Sequence, residues 1–306
     1  MTREADRRPI LSRPNGSVTM NVVQLYSRHE RLYQANRYVY PVLSRRAGGI
    51  SVGVNLNPDK VCNFDCVYCQ VDRQTAGPTR VVDREVLLGE LDQMLTLVTS
   101  GQLFETEEFQ AVPADLRQLR DIAFSGDGEP TTFRRFDELV AACAAVKDRH
   151  QLDQVKLVLI TNASMFHRSR VQRGLETLSA HQGEIWAKLE AGTEAYYRQV
   201  ERTTIPFQRI LDNITWAARR WPLVIQALFL RIQGAGPTEH EQEEFCRRLS
   251  EITSAGGRLL RVQVYTVARP PAEDFVAPLA DSEVDAIAQR VRERTGLEVV
   301  GYYAGG

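Results

Sequence analysis

Apolar, β-branched runs that end in polar or glycine-containing turns alternate along the chain with stretches whose apolar positions recur every three or four residues. The first pattern is that of a strand and the second that of a helix with one buried face. Strands are predicted at Ile50–Leu56, Asp121–Ser125, Val155–Thr161, Glu184–Glu190, Leu223–Ile232 and Leu259–Val267, with a further candidate at Leu297–Tyr303. Between them, Asp83 is placed to cap a helix carrying Val86, Leu87, Leu91, Met94, Leu95 and Val98 on one face, closed by Gly101. The same spacing recurs in Phe136, Leu139, Val140, Cys143 and Val146, in Phe245, Leu249 and Ile252, and in Val284, Ile287, Ala288 and Val291 ahead of Gly296. Repeated βα units of this kind predict an α/β protein with a mainly parallel sheet. No polar break separates them, so a single-domain partial (β/α)6 barrel is expected, its helices covering the sheet. Thr99–Pro113 is the longest irregular candidate.

The chain has 306 residues, 43% of them apolar and 25% charged, as in soluble globular proteins. No apolar run approaches the roughly eighteen residues of a membrane span, and Met1–Ile10 is too charged for a secretory signal. A cytoplasmic protein with reduced thiols and no membrane partner is therefore expected. The net charge of −1 is unevenly spread: residues 1–50 hold nine Arg and no Lys against Glu4, Asp6 and Glu30, +6 in all, which leaves −7 for the rest. Arg28, Arg31, Arg37, Arg45 and Arg46 could contact phosphate, of RNA or of a smaller ligand; the alternative is a solvated leader with no partner. The expected division is an Arg-rich leader over 1–49, a core over 50–271, and a C-terminal helix and strand completing the core over 272–306.

Three of the five cysteines, Cys62, Cys66 and Cys69, fall in the stretch Lys60–Gln70 with the spacing C-x3-C-x2-C, just past the first predicted strand. Loops after strand C-termini gather at one face of a parallel α/β fold, where active sites are built. At ordinary cysteine usage chance would give such a triplet roughly once in a thousand chains. A structural zinc site wants a fourth Cys or His in a second pair, and His29 and His150 stand alone. A redox pair of Cys66 and Cys69 would leave Cys62 unexplained. Thiolates also hold iron–sulfur clusters, and three of them around a four-iron cube leave one iron open to a small molecule. Cys143 and Cys246 lie on apolar helix faces and read as core thiols, while His167 and His240 read as surface residues.

The triplet, with Tyr68 before its last cysteine, resembles the motif of the radical S-adenosylmethionine (SAM) superfamily. The resemblance implies a partial barrel of that type with a 4Fe-4S cluster on Cys62, Cys66 and Cys69. It also implies SAM on the open iron, reductive cleavage of SAM to a 5′-deoxyadenosyl radical, and a flavodoxin- or ferredoxin-type electron donor. The second strand runs into Gly126-Asp127-Gly128-Glu129-Pro130, similar to the family's Gly-Gly-Glu-Pro stretch with Asp127 in the first glycine position. By that likeness Gly128, Glu129 and Pro130 meet the methionine part of SAM, with Glu129 as an acceptor, and Thr131 and Thr132 can cap the next helix. Asn162, Lys188, Glu190 and Tyr265, at the polar ends of later strands, would contact SAM or substrate; Lys188 and Glu190, on one side of their strand, read equally well as an ion pair.

Val54-Asn55-Leu56, the Ser125–Thr131 turn and Tyr265–Pro271 together look most like bacterial proteins grouped with wyosine-type tRNA modification enzymes. That likeness covers residues 50 to 271 and implies tRNA base modification. Archaeal imidazoguanosine synthases carry a second cysteine set upstream, and this chain has no cysteine before Cys62, so no second cluster is expected. The competing readings are an iron–sulfur electron carrier, which would normally have a fourth cysteine, and a zinc-stabilised nucleic-acid-binding module, which would lack the barrel.

Overall fold

A computed structural model describes residues 33–271 and 273–304. Arg28, Arg31 and His29 lie outside the described residues. Eight strands form one sheet that curls into a partial barrel: β1 (Val39–Ser44), β2 (Gly49–Val54), β3 (Leu119–Phe124), β4 (Lys156–Thr161), β5 (Glu184–Lys188), β6 (Leu223–Leu228), β8 (Leu259–Tyr265) and β10 (Val299–Tyr302), side by side in that order. Two short strands, β7 (Leu230–Ile232) and β9 (Val276–Pro278), pair antiparallel outside this sheet. The helices are α1 (Arg84–Thr99), α2 (Phe136–Arg149), α3 (Ser169–Ala180), α4 (Glu194–Glu201), α5 (Phe207–Arg220), α6 (Glu239–Ser254) and α7 (Asp281–Thr295).

Six consecutive neighbours, β2 to β6 and β8, are parallel and coincide with the six strands read from the sequence. The seventh, β10, extends the sheet beside β8. Alternation divides each strand between two environments. Ile122, Phe124, Leu157, Leu159, Ile185, Ala187 and Ile225 pack into the core shared with the helices. Ala123, Val158, Trp186 and Val224 form a separate apolar cluster on the concave face, with Ile160 against it.

Helix ends follow local chemistry. Asp83 accepts from the backbone N–H groups of Glu85 and Val86, and Gly101 takes a left-handed φ of 84° just past the end of α1. Gly296 ends α7 in the same way, with φ 69°. The expected cap by Thr131 and Thr132 is corrected: both sit in a short 3-10 turn, Pro130–Thr132, and α2 begins later, after Arg135, which makes no side-chain cap.

Two strand expectations also change. β1, inside the stretch read as a leader, pairs antiparallel with β2 and forms one edge of the sheet. The run Leu223–Ile232 is two strands. At Phe229 the backbone N–H bonds to the Tyr265 carbonyl at 2.8 Å, where β8 ends, and the side chain turns outward onto Phe245 with ring centroids 5.3 Å apart. With no partner strand beyond Tyr265, the chain leaves the sheet and pairs with β9. Among the described residues no helix is long and apolar enough to cross a membrane.

Candidate functional site

The C-terminal ends of the parallel strands open into a cavity of ≈ 320 Å³. Cys62, Cys66 and Cys69 all line it, together with Tyr68, the turn Gly126–Glu129, Asn162, Lys188 and Tyr265. The structure thus brings together every candidate cluster or SAM residue read from the sequence except Pro130 and Glu190, which stand behind the lining and are buried; of the candidate phosphate contacts, Arg37 does not line the cavity. Cys143 and Cys246 are buried in the helix-side core, as expected.

The cysteine loop is fastened at several points. Its backbone bonds to the end of α4, Asp65 N–H to the Glu201 carbonyl at 3.1 Å and Val67 N–H to that of Val200 at 2.8 Å. The side chain of Asn63 accepts from Asn162 Nδ2 at 2.9 Å and donates to Ser164 Oγ at 2.7 Å. Arg73 draws the loop toward the glycine turn. Its guanidinium donates to the carbonyls of Lys60 and of Asp127, the latter at 3.1 Å, and lies 3.4 Å from Cys69 Sγ.

The turn is shaped by close approach. A Cβ on Gly126 would stand 2.2 Å from Asn55 Oδ1, and one on Gly128 2.3 Å from the Val61 carbonyl oxygen, so neither position admits a side chain. Asp127, where the resembling motif has glycine, is held from both sides by Asn55: its N–H donates to Oδ1 at 3.1 Å and its Oδ2 accepts from Nδ2 at 2.6 Å. Within the turn, the carbonyls of Asp127 and Glu129 are engaged by Arg73 and Thr132. Those of Gly126 and Gly128 are not engaged in the described contacts and remain for a ligand.

Glu129 was expected to offer its carboxylate to a ligand. Here that carboxylate is occupied by the protein. Oε1 accepts from Thr131 N–H, the Thr131 hydroxyl and the Thr161 hydroxyl at 2.6 Å, and Oε2 accepts from Asn162 N–H at 2.7 Å. Burial raises its pKa against the pull of these donors. The group locks the turn to the end of β4, with one lone pair of Oε2 left over.

On the other flank a chain of polar groups connects Cys66 to the cavity wall. The Cys66 thiol donates to Glu201 Oε2 at 2.7 Å. Glu190 accepts from the Tyr68 hydroxyl and, at 3.3 Å, from that of Tyr265, and pairs with Lys188 at 3.5 Å. Lys188 also donates to the Tyr68 hydroxyl at 3.1 Å, with its ammonium 4.8 Å above that ring. The Lys188–Glu190 ion pair read from strand alternation is therefore formed, and Lys188 lines the cavity besides. Burial, then the charge of Glu190, raises the Glu201 pKa well above the carboxylate range. Burial and Glu201 likewise push the Cys66 thiol up.

Sequence reading did not single out Arg73, Glu201, Asn63 or Ser164, and took Asn55 only as part of the Val54-Asn55-Leu56 likeness, with no role. Nor did it place Arg46, whose guanidinium stacks 5.2 Å from the Tyr265 ring centroid, or Arg45, which donates to the Tyr303 carbonyl at 2.6 Å. Both line the cavity where the β1–β2 hairpin meets β8 and β10, and so tie the two edges of the open barrel.

The donor set fits a cluster better than a single ion. Among the described residues no three His, Cys, Asp or Glu side chains are arranged to hold one metal ion. A four-iron cube takes one thiolate per iron and so needs them apart around a common space, as three half-buried thiols on one cavity are. The turn glycines beside them let the chain close on Asn55 and on the Val61 carbonyl, which brings the turn up against the cysteine loop.

The profile of the Radical SAM superfamily matches residues 56–249. A relative from Helicobacter pylori, a UPF0026 protein, is 26% identical over 247 residues, 80% of this chain and 70% of its own length. Among solved structures, a radical SAM methyltransferase from Sphaerobacter thermophilus superposes with a TM-score of 0.60 at 13% identity, over 88% of this chain and 70% of its own. TYW1 with a lysine-pyruvate adduct bound superposes with a TM-score of 0.52 at 15% identity, over 88% of each chain. At these identities the two structures speak for the shared fold.

Proposed function

The chain belongs to the radical SAM superfamily, and from that premise we propose that Cys62, Cys66 and Cys69 each bind one iron of its cluster, while the Gly126–Pro130 turn receives the methionine part of SAM. The protein is an enzyme whose cofactors are a 4Fe-4S cluster and SAM. When bound, that pair supplies reductive cleavage of SAM to a 5′-deoxyadenosyl radical, which abstracts hydrogen from a substrate.

The chain's own residues do the holding. The unengaged carbonyls of Gly126 and Gly128 suit the ligand's ammonium, and Asn162, Tyr265 and Lys188 line the space beyond. Glu129 acts by fixing the turn, and Glu190 by orienting Tyr68 and Lys188. The apolar cluster of Ala123, Val158, Trp186 and Val224 gives the concave face of the barrel an apolar patch, the kind of surface that suits a radical kept from solvent. The observation that carries this reading is the convergence of all three thiols and the glycine turn on one cavity.

The catalytic unit is the core over 50–271 together with the β1 edge strand, completed by the C-terminal helix and strand, and works in the cytoplasm with an electron from a flavodoxin- or ferredoxin-type protein. The substrate we propose is a tRNA base, which Arg45 and Arg46 at the cavity edge would approach through phosphate. Protein reconstituted without oxygen, reduced with dithionite and given SAM should form 5′-deoxyadenosine, and the Cys62, Cys66, Cys69 triple alanine variant should form none. Equal product from both would end the assignment. RNA affinity should fall steeply with salt and with charge reversal at Arg45 and Arg46; salt-independent turnover of a small molecule would remove RNA.

A further inference from the structure

We propose that the wall carrying Gln226 and Trp186 is a substrate subsite that takes a planar, uncharged nitrogen heterocycle through its N–H edge, the chemistry of a nucleobase. The proposal rests on the cavity being the active site described above.

Gln226 lies on β6 on the concave face with 0% of its surface exposed, and it lines the cavity. Its Nε2 donates to Gln263 Oε1 on β8 at 2.9 Å, while its Oε1 has no partner. The flanking inward positions of β6 are Val224 and Leu228, so the strand tolerates apolar residues here and a buried lone acceptor only costs stability. A donor arriving with a ligand would remove that cost.

Trp186 on the neighbouring strand supplies a flat partner. Its indole N–H is taken up by Glu184 Oε2 at 2.8 Å, so it offers the cavity a ring and no donor. Val158 and Ile160 extend that apolar wall along β4. Lys188, directly across from Gln226 in the β5–β6 register, is already neutralised by Glu190. One acceptor, one ring and no unmatched charge at this level fit a flat, neutral group with an N–H to give.

Holoenzyme reconstituted without oxygen and saturated with SAM is dialysed against guanosine, adenosine, cytidine and uridine, and against short single-stranded RNAs containing each. At least one nucleoside should bind saturably, and its derivative methylated on the donor nitrogen about tenfold or more weaker. The double variant Gln226→Leu, Gln263→Leu removes both amides at once and should keep or raise the melting temperature, yet lose about tenfold or more in affinity. Tighter binding of RNA than of its nucleoside would assign the heterocycle to RNA, and equal binding to a free molecule; both support the subsite. No saturable binding of any probe, or unchanged affinity in the double variant, overturns it. Formation of 5′-deoxyadenosine by the wild type is read in the same samples. Product without binding overturns the subsite alone, and binding without product overturns the radical reading and leaves the subsite standing.

Discussion

Glu129 and Glu201 are both buried carboxyl groups tied to the cysteine loop, one through Asn162 and Asn63 and the other through Cys66 itself. Glu129 is met by two backbone N–H groups and two hydroxyls, all neutral and all from the turn or the end of β4. Glu201 is met by a thiol proton and stands in the field of Glu190. A thiol that becomes a metal ligand has no proton to donate. The glycine-turn side is therefore complete whether or not metal is present, whereas the Cys66 side has to rearrange when a cluster is loaded. The same cavity is pre-formed on one flank and responsive on the other.

The largest effect should come from the cysteines. Replacing Cys66 by Ala should abolish iron retention and SAM cleavage while leaving the fold, because its thiol contributes one contact and half-buried packing; iron analysis and circular dichroism on the same sample check both parts. Next is the contrast between the two carboxylates. Glu129→Ala strands donors in a buried place and should destabilise the protein by about 3 to 5 kcal/mol in urea unfolding. Glu201→Gln keeps an acceptor for the Cys66 thiol and removes a carboxyl that burial already disfavours as an anion, so its change should stay within about 1 kcal/mol. Similar losses for the two would erase the distinction.

Arg73 lies between these cases. Its three contacts join the loop before Cys62, Cys69 itself and the glycine turn, a geometry that a planar guanidinium can meet and an ammonium cannot. Arg73→Lys should lower cluster affinity by roughly 10-fold to 100-fold, the usual cost of losing a group that orients metal ligands. Iron retention against a chelator reads this directly, and unchanged retention would make Arg73 a surface residue that merely lies nearby.

The last effect is one of pH and concerns a third carboxyl, at the other end of the barrel. Asp121 accepts from Ser51, and burial raises its pKa from 3.8 to about 6. An acid whose folded pKa is raised favours the native state at low pH, and that contribution fades as pH climbs from about 4 through about 6. Its full extent is at most on the order of 3 kcal/mol. Melting curves of the wild type should shift down over this window relative to Asp121→Asn, which keeps an acceptor for Ser51 and no longer titrates. Parallel curves would mean that the carboxyl stays charged.

The βα alternation was legible because each parallel strand buries both faces and so reads as an apolar run. β1 was not, because it is an edge strand holding Pro41 and sits among arginines, so neither its composition nor its charge marks it as part of the sheet. The break at Phe229 was hidden inside one apolar run, since only the end of the neighbouring strand decides where β6 stops. In the site, the cysteines and the turn announced themselves by spacing. Arg73 and Glu201 carried no local signal: an arginine in a polar loop and a glutamate at a helix end acquire meaning only once folding sets them beside Cys69 and Cys66, and the role of Asn55, already visible in its motif, appears only when it meets Asp127. Gln226 is of the same kind, one polar residue in an apolar strand whose missing partner is visible only in three dimensions.

The central claim, three thiols on one cluster with SAM at the adjoining turn, is tested most directly by electron paramagnetic resonance of the reduced, anaerobically reconstituted protein with and without SAM. About four irons per chain and a cluster spectrum that changes when SAM is added are the predicted result. Zinc in place of iron, or a cluster spectrum indifferent to SAM, would contradict it.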